Sequence, residues 1–262
     1  MTNGPDVPRA GGTGLRREIS PSRAEALERE LAERSEELRR ANDDSLRVCY
    51  AVSHDLRELL RAVRGSAELL ARRYGDALDA EGVEHLRTVL ESSARMDSLL
   101  DDVLVYARLA HGPVRPLSRV PCELALNCAL DRVGPAITEN NAVVTHDPLP
   151  LVTADEADLV LLFTELLDNA VKFRGPEPPR IHISALGLGA EWSFAVRDNG
   201  QGIDAAYHSA VFDVARRLHG RDYPGNGMGL AIARKIVERH GGRIHVESEP
   251  GRGAAVHFTL PA

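Results

Sequence analysis

Aromatic side chains are scarce in this 262-residue sequence, at 4%, against a hydrophobic share of 43% and a charged share of 27%. A core must therefore be built mainly from Leu, Val, Ala and Ile, while the ordinary apolar and charged fractions exclude collagen and wholesale disorder. Cysteine is nearly absent. Cys49, Cys122 and Cys128 make neither a CxxC pair nor an even disulfide framework, so they read as reduced thiols acting as small hydrophobes. No apolar run approaches the roughly 18 residues of a membrane span; Leu159 to Phe163 is among the longest. The N-terminal stretch also lacks the apolar middle of a signal peptide, and a cytoplasmic location is expected. A positive excess is missing too: 32 basic against 39 acidic residues leave −7. Any grip on nucleic acid or an anionic membrane would need a local patch, and neither a nucleic-acid partner nor a membrane span is expected.

Residues 1–20 are rich in Gly and Pro with little to bury and read as a flexible leader. Ser20 and Pro21 then supply an N-cap and a first-turn proline for a long helix. Seven-residue spacing sets Ala24, Leu31, Leu38, Ser45 and Val52 on one seam position, and Leu27, Arg34, Ala41 and Val48 on the other. The segment 21–47 is accordingly expected as a coiled-coil helix, its seam interrupted by Arg34 and Ser45. The apolar pattern continues through Leu59, Val63 and Leu70, breaks at Tyr74-Gly75-Asp76, and resumes from Val83 to Ala107. One hairpin of this kind cannot bury its stripe alone, whereas two related by a twofold axis make a four-helix bundle. Segment 48–112 is therefore expected as a helical hairpin that forms a homodimer.

Pro113, Pro116 and Pro121 suggest a short stiff linker over 113–121. Beyond it, strand-like runs (Val143 to His146, Arg180 to Ala185, Trp192 to Arg197, Arg243 to Ser248, Ala255 to Leu260) alternate with helical ones (Cys122 to Asn140, Glu156 to Phe173, Gly229 to His240). The fold class is α+β: the helical segment, then a separate α/β sandwich over 122–262 with mostly antiparallel strands and helices on one face.

In the helix Glu156 to Phe173, the residues Glu165, Asn169, Lys172 and Phe173 fall at spacings of four, three and one. Residues three and four apart share a face, so a carboxylate, an amide oxygen and an ammonium can converge on one ligand. Carboxylate and amide oxygens suit Mg²⁺, which takes its remaining oxygens from water and phosphate. Next, Asp198-Asn199-Gly200-Gln201-Gly202-Ile203 follows a strand, with glycines that let backbone approach a ligand and adopt positive φ, and a carboxylate able to accept from an exocyclic amine. Third, Gly225-Asn226-Gly227-Met228-Gly229 opens an apolar-periodic helix, a setting that favours polyphosphate. It is neither a Walker A loop nor a dinucleotide fingerprint. Taken singly, each segment has an ordinary structural reading as a solvated helix face, a turn or a glycine-rich lid.

Upstream, Ala51-Val52-Ser53-His54-Asp55-Leu56 places His54 about 200° around the helix from the seam residue Val52, facing solvent. Asp55 can fix the Nδ1 proton and leave Nε2 as nucleophile. The remaining histidines, among them His146, His182, His245 and His257, are expected to be idle.

Together and in this order, the three C-terminal segments resemble the ATP-binding domain shared by histidine kinases, type II topoisomerases, Hsp90 chaperones and MutL. The His54 segment resembles the H box of sensor histidine kinases, especially the phytochrome-like subgroup, and the resemblance covers roughly residues 25–260. It implies that Asp198 receives the adenine amine, Asn169 holds Mg²⁺, and Lys172 approaches the phosphates. It also implies that Phe173 and Ile203 flank the base, with Gly200 and Gly202 in the first glycine box and Gly225, Gly227 and Gly229 in the second. Glu165 would serve around Mg²⁺ or orient the nucleophile, and Arg217 matches a lid arginine that meets phosphates. The implied reaction passes the γ-phosphoryl of MgATP to His54 and on to an aspartate of a response-regulator receiver domain in trans. Input is expected from a separate sensory protein. The sequence departs from the pattern at Leu59, where a proline is usual, at Glu58, where Thr or Asn often serves phosphatase chemistry, and at Ala215, where a second aromatic is usual. These departures keep open an alternative, a dimeric scaffold or phosphotransfer protein that retains the fold without the catalysis.

Overall fold

The computed structural model describes residues 21–113, 115–216 and 225–262. The leader expected over 1–20, Ser20 with it, and Arg217 of the presumptive lid lie outside the described residues. The chain divides into two compact units, Met1–Asn42 and Asp43–Ala262. The described part of the first is helical, its surface laced by ion pairs of Arg39 and Arg40 with Glu36, whose carboxyl they hold down at about 2.

Helix α1 spans Pro21–Tyr74 and α2 spans Ala80–His111. After Pro21, α1 contains no proline and a single glycine, Gly65, so nothing interrupts it, Leu59 included. Asp79 caps α2 by accepting from the Gly82 amide at 2.8 Å. The small residues Ser53, Ala67 and Ser93 are buried in this hairpin, and Arg57 on α1 is paired with Asp97 at 3.2 Å and Asp101 at 2.6 Å on α2. Much of the apolar stripe remains on the surface of the single chain, including Val48, Val52, Leu59, Val63 and Leu70. No described helix is long and apolar enough to cross a membrane.

After the hairpin come β1 (Ser118–Pro121), α3 (Cys122–Glu139), β2 (Val143–His146), β3 (Leu151–Ala154), α4 (Glu156–Lys172), β4 (Arg180–Gly187), β5 (Glu191–Arg197), α5 (Gly229–Arg239), β6 (Ile244–Ser248) and β7 (Ala254–Pro261). One sheet runs β2-β4-β5-β7-β6, with β2 and β4 parallel and the other neighbours antiparallel. The period of two sends Ile181, Ile183, Phe194, Val196, Phe258 and Leu260 inward against α3, α4 and α5. With so few aromatics available, the core concentrates them: Phe194 and Phe258 stack at 4.9 Å, and Phe163 of α4 meets them edge-on at 6.5 and 6.3 Å.

Two strands escape the sequence reading. β1, inside the stretch expected as linker, pairs antiparallel with β3, Ser118 opposite Ala154. β1 follows Pro116 and ends on Pro121, which read as linker, and β3 follows Pro148-Leu149-Pro150, which reads as loop. The end of α2 also joins the α/β core: Leu109 is buried in it, and Arg239 of α5 donates to the carbonyls of Arg108, Leu109, Gly112 and Pro113, closing the helix C-terminus.

Candidate active site

α4 presents two faces. Leu159, Leu162, Phe163 and Leu167 enter the core, while Glu165, Asp168, Asn169, Lys172 and Phe173 line a cavity of about 310 Å³. The helix begins where the Asp155 carboxylate accepts from the Asp158 amide at 3.1 Å, which fixes which side chains face the cavity. Opposite them stand Asp198, Gly202 and Ile203 of the loop after β5, and Gly225, Gly227 and Gly229 at the start of α5. The resemblance-derived residues of three distant segments thus meet in one cleft, apart from Gly200, which does not line it; Arg217 is outside the described residues.

Asp198 is held from behind. Its Oδ1 accepts from the backbone amides of Gly200 at 2.8 Å and Ala254 at 3.1 Å. Burial raises its carboxyl above the ordinary carboxylate range, and those two bonds oppose the rise. The loop glycines answer mainly to packing rather than to ligand approach. A Cβ on Gly200 would lie 2.4 Å from the Phe173 carbonyl oxygen, and one on Gly202, where φ is +73°, would lie 2.0 Å from that of Glu249.

At the other glycine segment the contact is with the cleft itself. A Cβ on Gly229 would sit 2.6 Å from Glu165 Oε2 and 3.0 Å from Asn169 Nδ2. Asn169 Nδ2 is buried and has no hydrogen-bond partner, an orphan of a kind that folded proteins rarely leave unless something else is to bind there. The surrounding charge is unbalanced. Glu165, Asp168 and Asp102 gather near Lys172, which is ion-paired with Asp168. Burial, then Asp102 and Asp168, push the Glu165 carboxyl up to about 7 against the pull of Lys172.

His54 and Asp55 lie outside the cavity lining, on α1. The His54 side chain is 68% exposed, as its helical phase predicts, and its Nδ1 stands 3.3 Å from Asp55 Oδ1. Glu58 brings Oε1 within 3.8 Å of Nε2, a neighbour the sequence reading had considered only for phosphatase chemistry. A stretch of α2 of less than two turns connects the two places: Asp97 and Asp101 hold Arg57, three residues beyond His54, whereas Ser98 and Asp102 line the cleft.

The cleft also contains residues the sequence reading missed. Asn226 donates to Ser98 Oγ at 3.1 Å and Asp102 Oδ2 at 2.9 Å, and Arg216 and Met228 line the wall. Asp168 was legible, being four residues before Lys172 on the same helical face. Ser98 and Asp102 belong to another element, and only the docking of α2 brings them in.

Residues 154–262 match the family described as histidine kinase-, DNA gyrase B-, and HSP90-like ATPase, and residues 46–112 match the His Kinase A (phospho-acceptor) domain. Over 233 residues the chain is 45% identical to Cyanobacterial phytochrome A of Nostoc sp. (strain PCC 7120) and 37% identical to Phytochrome-like protein Cph1 of Synechocystis sp. (strain PCC 6803). Each alignment takes in 88% of this chain but only 30% and 31% of those relatives' own length. The crystal structure of full-length ShkA in complex with AMPPNP aligns with a TM-score of 0.63 at 29% identity, over 82% of this chain and 45% of that one. A phosphoacceptor hairpin and an ATPase sheet, matched in that order along one sequence, leave one conclusion: the chain belongs to the sensor histidine kinases.

Proposed function

We propose that this chain is an ATP-dependent protein-histidine kinase of a two-component system, which phosphorylates its own His54 and passes the phosphoryl group to an aspartate of a response-regulator receiver domain. The observation that carries the reading is His54 itself: a solvent-open imidazole with Nδ1 against a carboxylate, within the segment that matches phosphoacceptor domains.

Asp198 accepts the adenine amine on the side of its carboxylate not engaged by Gly200 and Ala254, and Phe173 and Ile203 flank the base. The amides of Gly225, Gly227 and Gly229, at the N-terminal end of α5, receive the phosphates together with Lys172. The crowding of three carboxylates about one ammonium fits a divalent cation, with the Asn169 side-chain oxygen and the Glu165 carboxylate as the groups that would hold it, while the unpartnered Asn169 Nδ2, a donor, suits a phosphate oxygen. Mg²⁺ bound there would neutralise charge on the phosphates.

In the transfer, the Nε2 lone pair of His54 attacks the γ-phosphorus, the bond to the bridging oxygen breaks, and ADP departs. Asp55 keeps the proton on Nδ1, which holds the ring in the reactive tautomer and stabilises the positive charge that develops on it. Most of the acceleration comes from alignment of the reacting atoms. The exposed seam of Val48, Val52, Leu59, Val63 and Leu70 supports a homodimer through segment 48–112, with 122–262 as the nucleotide-binding domain.

The test is labelling with γ-³²P ATP and Mg²⁺. Wild type is expected to take up label that acid removes and alkali spares, and His54→Gln is expected to take up none while still binding nucleotide. Label retained in His54→Gln would refute the assignment, and nucleotide binding without any label in wild type would favour the inactive scaffold.

A further inference from the structure

The sheet's outer face carries a side-chain cluster unrelated to the cleft. β6 is the edge strand, and its antiparallel register with β7 sets His245 directly opposite His257. The strand period of two places Glu247 on the same face as His245. The two imidazoles lie nearly parallel, 12° apart in plane with centroids at 5.0 Å. Glu247 reaches both of them: Oε1 is 3.9 Å from His245 Nε2 and Oε2 is 3.5 Å from His257 Nε2. One ligand atom from each residue falls within 4.8 Å of the other two, and among the described residues no other group of histidine, cysteine and carboxylate side chains does this.

His257 Nε2 adds an independent observation. It is buried and makes no hydrogen bond, whereas buried polar atoms nearly always find a partner. Burial keeps its imidazole below the ordinary range, against the opposing pull of Glu247. His245 and Glu247 are exposed and can turn their side chains towards it.

We propose that His245, Glu247 and His257 form a binding site for a borderline divalent transition cation, of which Zn²⁺ is the representative. Two imidazole nitrogens and one carboxylate oxygen suit such an ion and leave a fourth position open to solvent. Mg²⁺, which prefers an octahedron of oxygens, does not compete for it. Arg197 lies close enough to depress the His257 imidazole and opposes a cation, and the Glu247 carboxylate offsets it. The ion ties the edge strand to β7, whose Val256 lines the cleft on the other face of the sheet and whose Ala254 amide holds Asp198.

The experiment titrates Zn²⁺ into the full, tag-free, chelator-stripped chain in competition with a chromogenic chelator, and records the visible spectrum with Co²⁺. One equivalent is expected to bind per chain, with Co²⁺ bands of nitrogen and oxygen ligation. Glu247→Gln and the double variant His245→Gln/His257→Gln are expected to weaken binding about 10- to 100-fold, while His146→Gln changes nothing. Glu247→Gln is a surface substitution, so its loss of affinity with an unshifted metal-free melting curve reports the site and not the fold. No wild-type binding at micromolar Zn²⁺, unchanged affinity in Glu247→Gln, or a Co²⁺ spectrum with thiolate charge-transfer bands would each overturn the proposal.

Discussion

Asp198→Asn separates recognition of the base from integrity of the loop. The wild-type carboxylate spends Oδ1 on the Gly200 and Ala254 amides, at 2.8 and 3.1 Å, and asparagine retains an oxygen for those bonds. What changes is the other side of the group, where an NH₂ replaces a carboxylate oxygen and, in the proposed complex, would confront the adenine amine donor with a second donor. A hydrogen bond to a charged acceptor is worth about 1.5–3 kcal/mol, so the nucleotide Kd is expected to rise about 10- to 100-fold. Inosine triphosphate sharpens the test, because it carries a carbonyl where adenine has the amine. Wild type should prefer ATP over it, and Asp198→Asn should narrow or reverse the preference. Calorimetric titration of both nucleotides into both proteins reads this directly, with thermal melting to show that the loop survives. Equal affinity of wild type for the two nucleotides, or an unchanged ratio in Asp198→Asn, would refute the reasoning.

Further substitutions and treatments follow from the packing. Phe163→Ala removes the ring that meets Phe194 and Phe258 edge-on and leaves a cavity where the side chain is now fully buried; urea denaturation should show a loss of about 3–5 kcal/mol. Arg239→Ala leaves the carbonyls at the end of α2 without their donor and Asp158 without a guanidinium 3.9 Å away. It should cost about 1–3 kcal/mol and speed hydrogen exchange around Gly112. Cys122 is buried with its thiol pushed up to about 12, whereas Cys128 is exposed; alkylation of the native protein should modify Cys128 and spare Cys122. The unfolded chain releases the Cys122 proton near pH 9.0 and the folded one only near 12. This group's contribution to stability is therefore complete below pH 9.0 and declines as the pH climbs through that window, a slope that Cys122→Ala should reduce in denaturant titrations.

The elements that the sequence revealed were long or strongly patterned. α4 and α5 carry apolar residues at helical spacing for more than two turns, and β4, β5 and β7 alternate over seven or eight residues. β1 and β3 escaped because each lies among prolines that read as linker or loop, Pro116 and Pro121 for β1 and Pro148 and Pro150 for β3, and because they pair with each other across thirty or more positions, unlike the equally short β2. The site divides along the same line. Glu165, Asn169, Lys172, Asp198 and the glycines sit in contiguous motifs, and His54 was legible from its phase on the helix and the neighbouring Asp55. Ser98, Asp102 and Asn226 come together only through the docking of α2 against the start of α5, which no local pattern encodes. Gly202 has the positive φ its glycine implied, and the structure adds a reason the sequence does not show: Gly200 and Gly202 clear the backbone carbonyls of Phe173 and Glu249. His245 and His257 looked idle because twelve residues separate them in sequence, and only the β6–β7 register makes them neighbours.

The central claim is that the nucleotide's terminal phosphoryl group ends on one nitrogen of one side chain. Peptide mapping by mass spectrometry at alkaline pH, after incubation of the full chain with ATP and Mg²⁺, tests it most directly. The account predicts a single added phosphoryl group on the peptide that carries His54, lost on brief acid treatment. A phosphate on any other residue, or one that survives the acid, would contradict it.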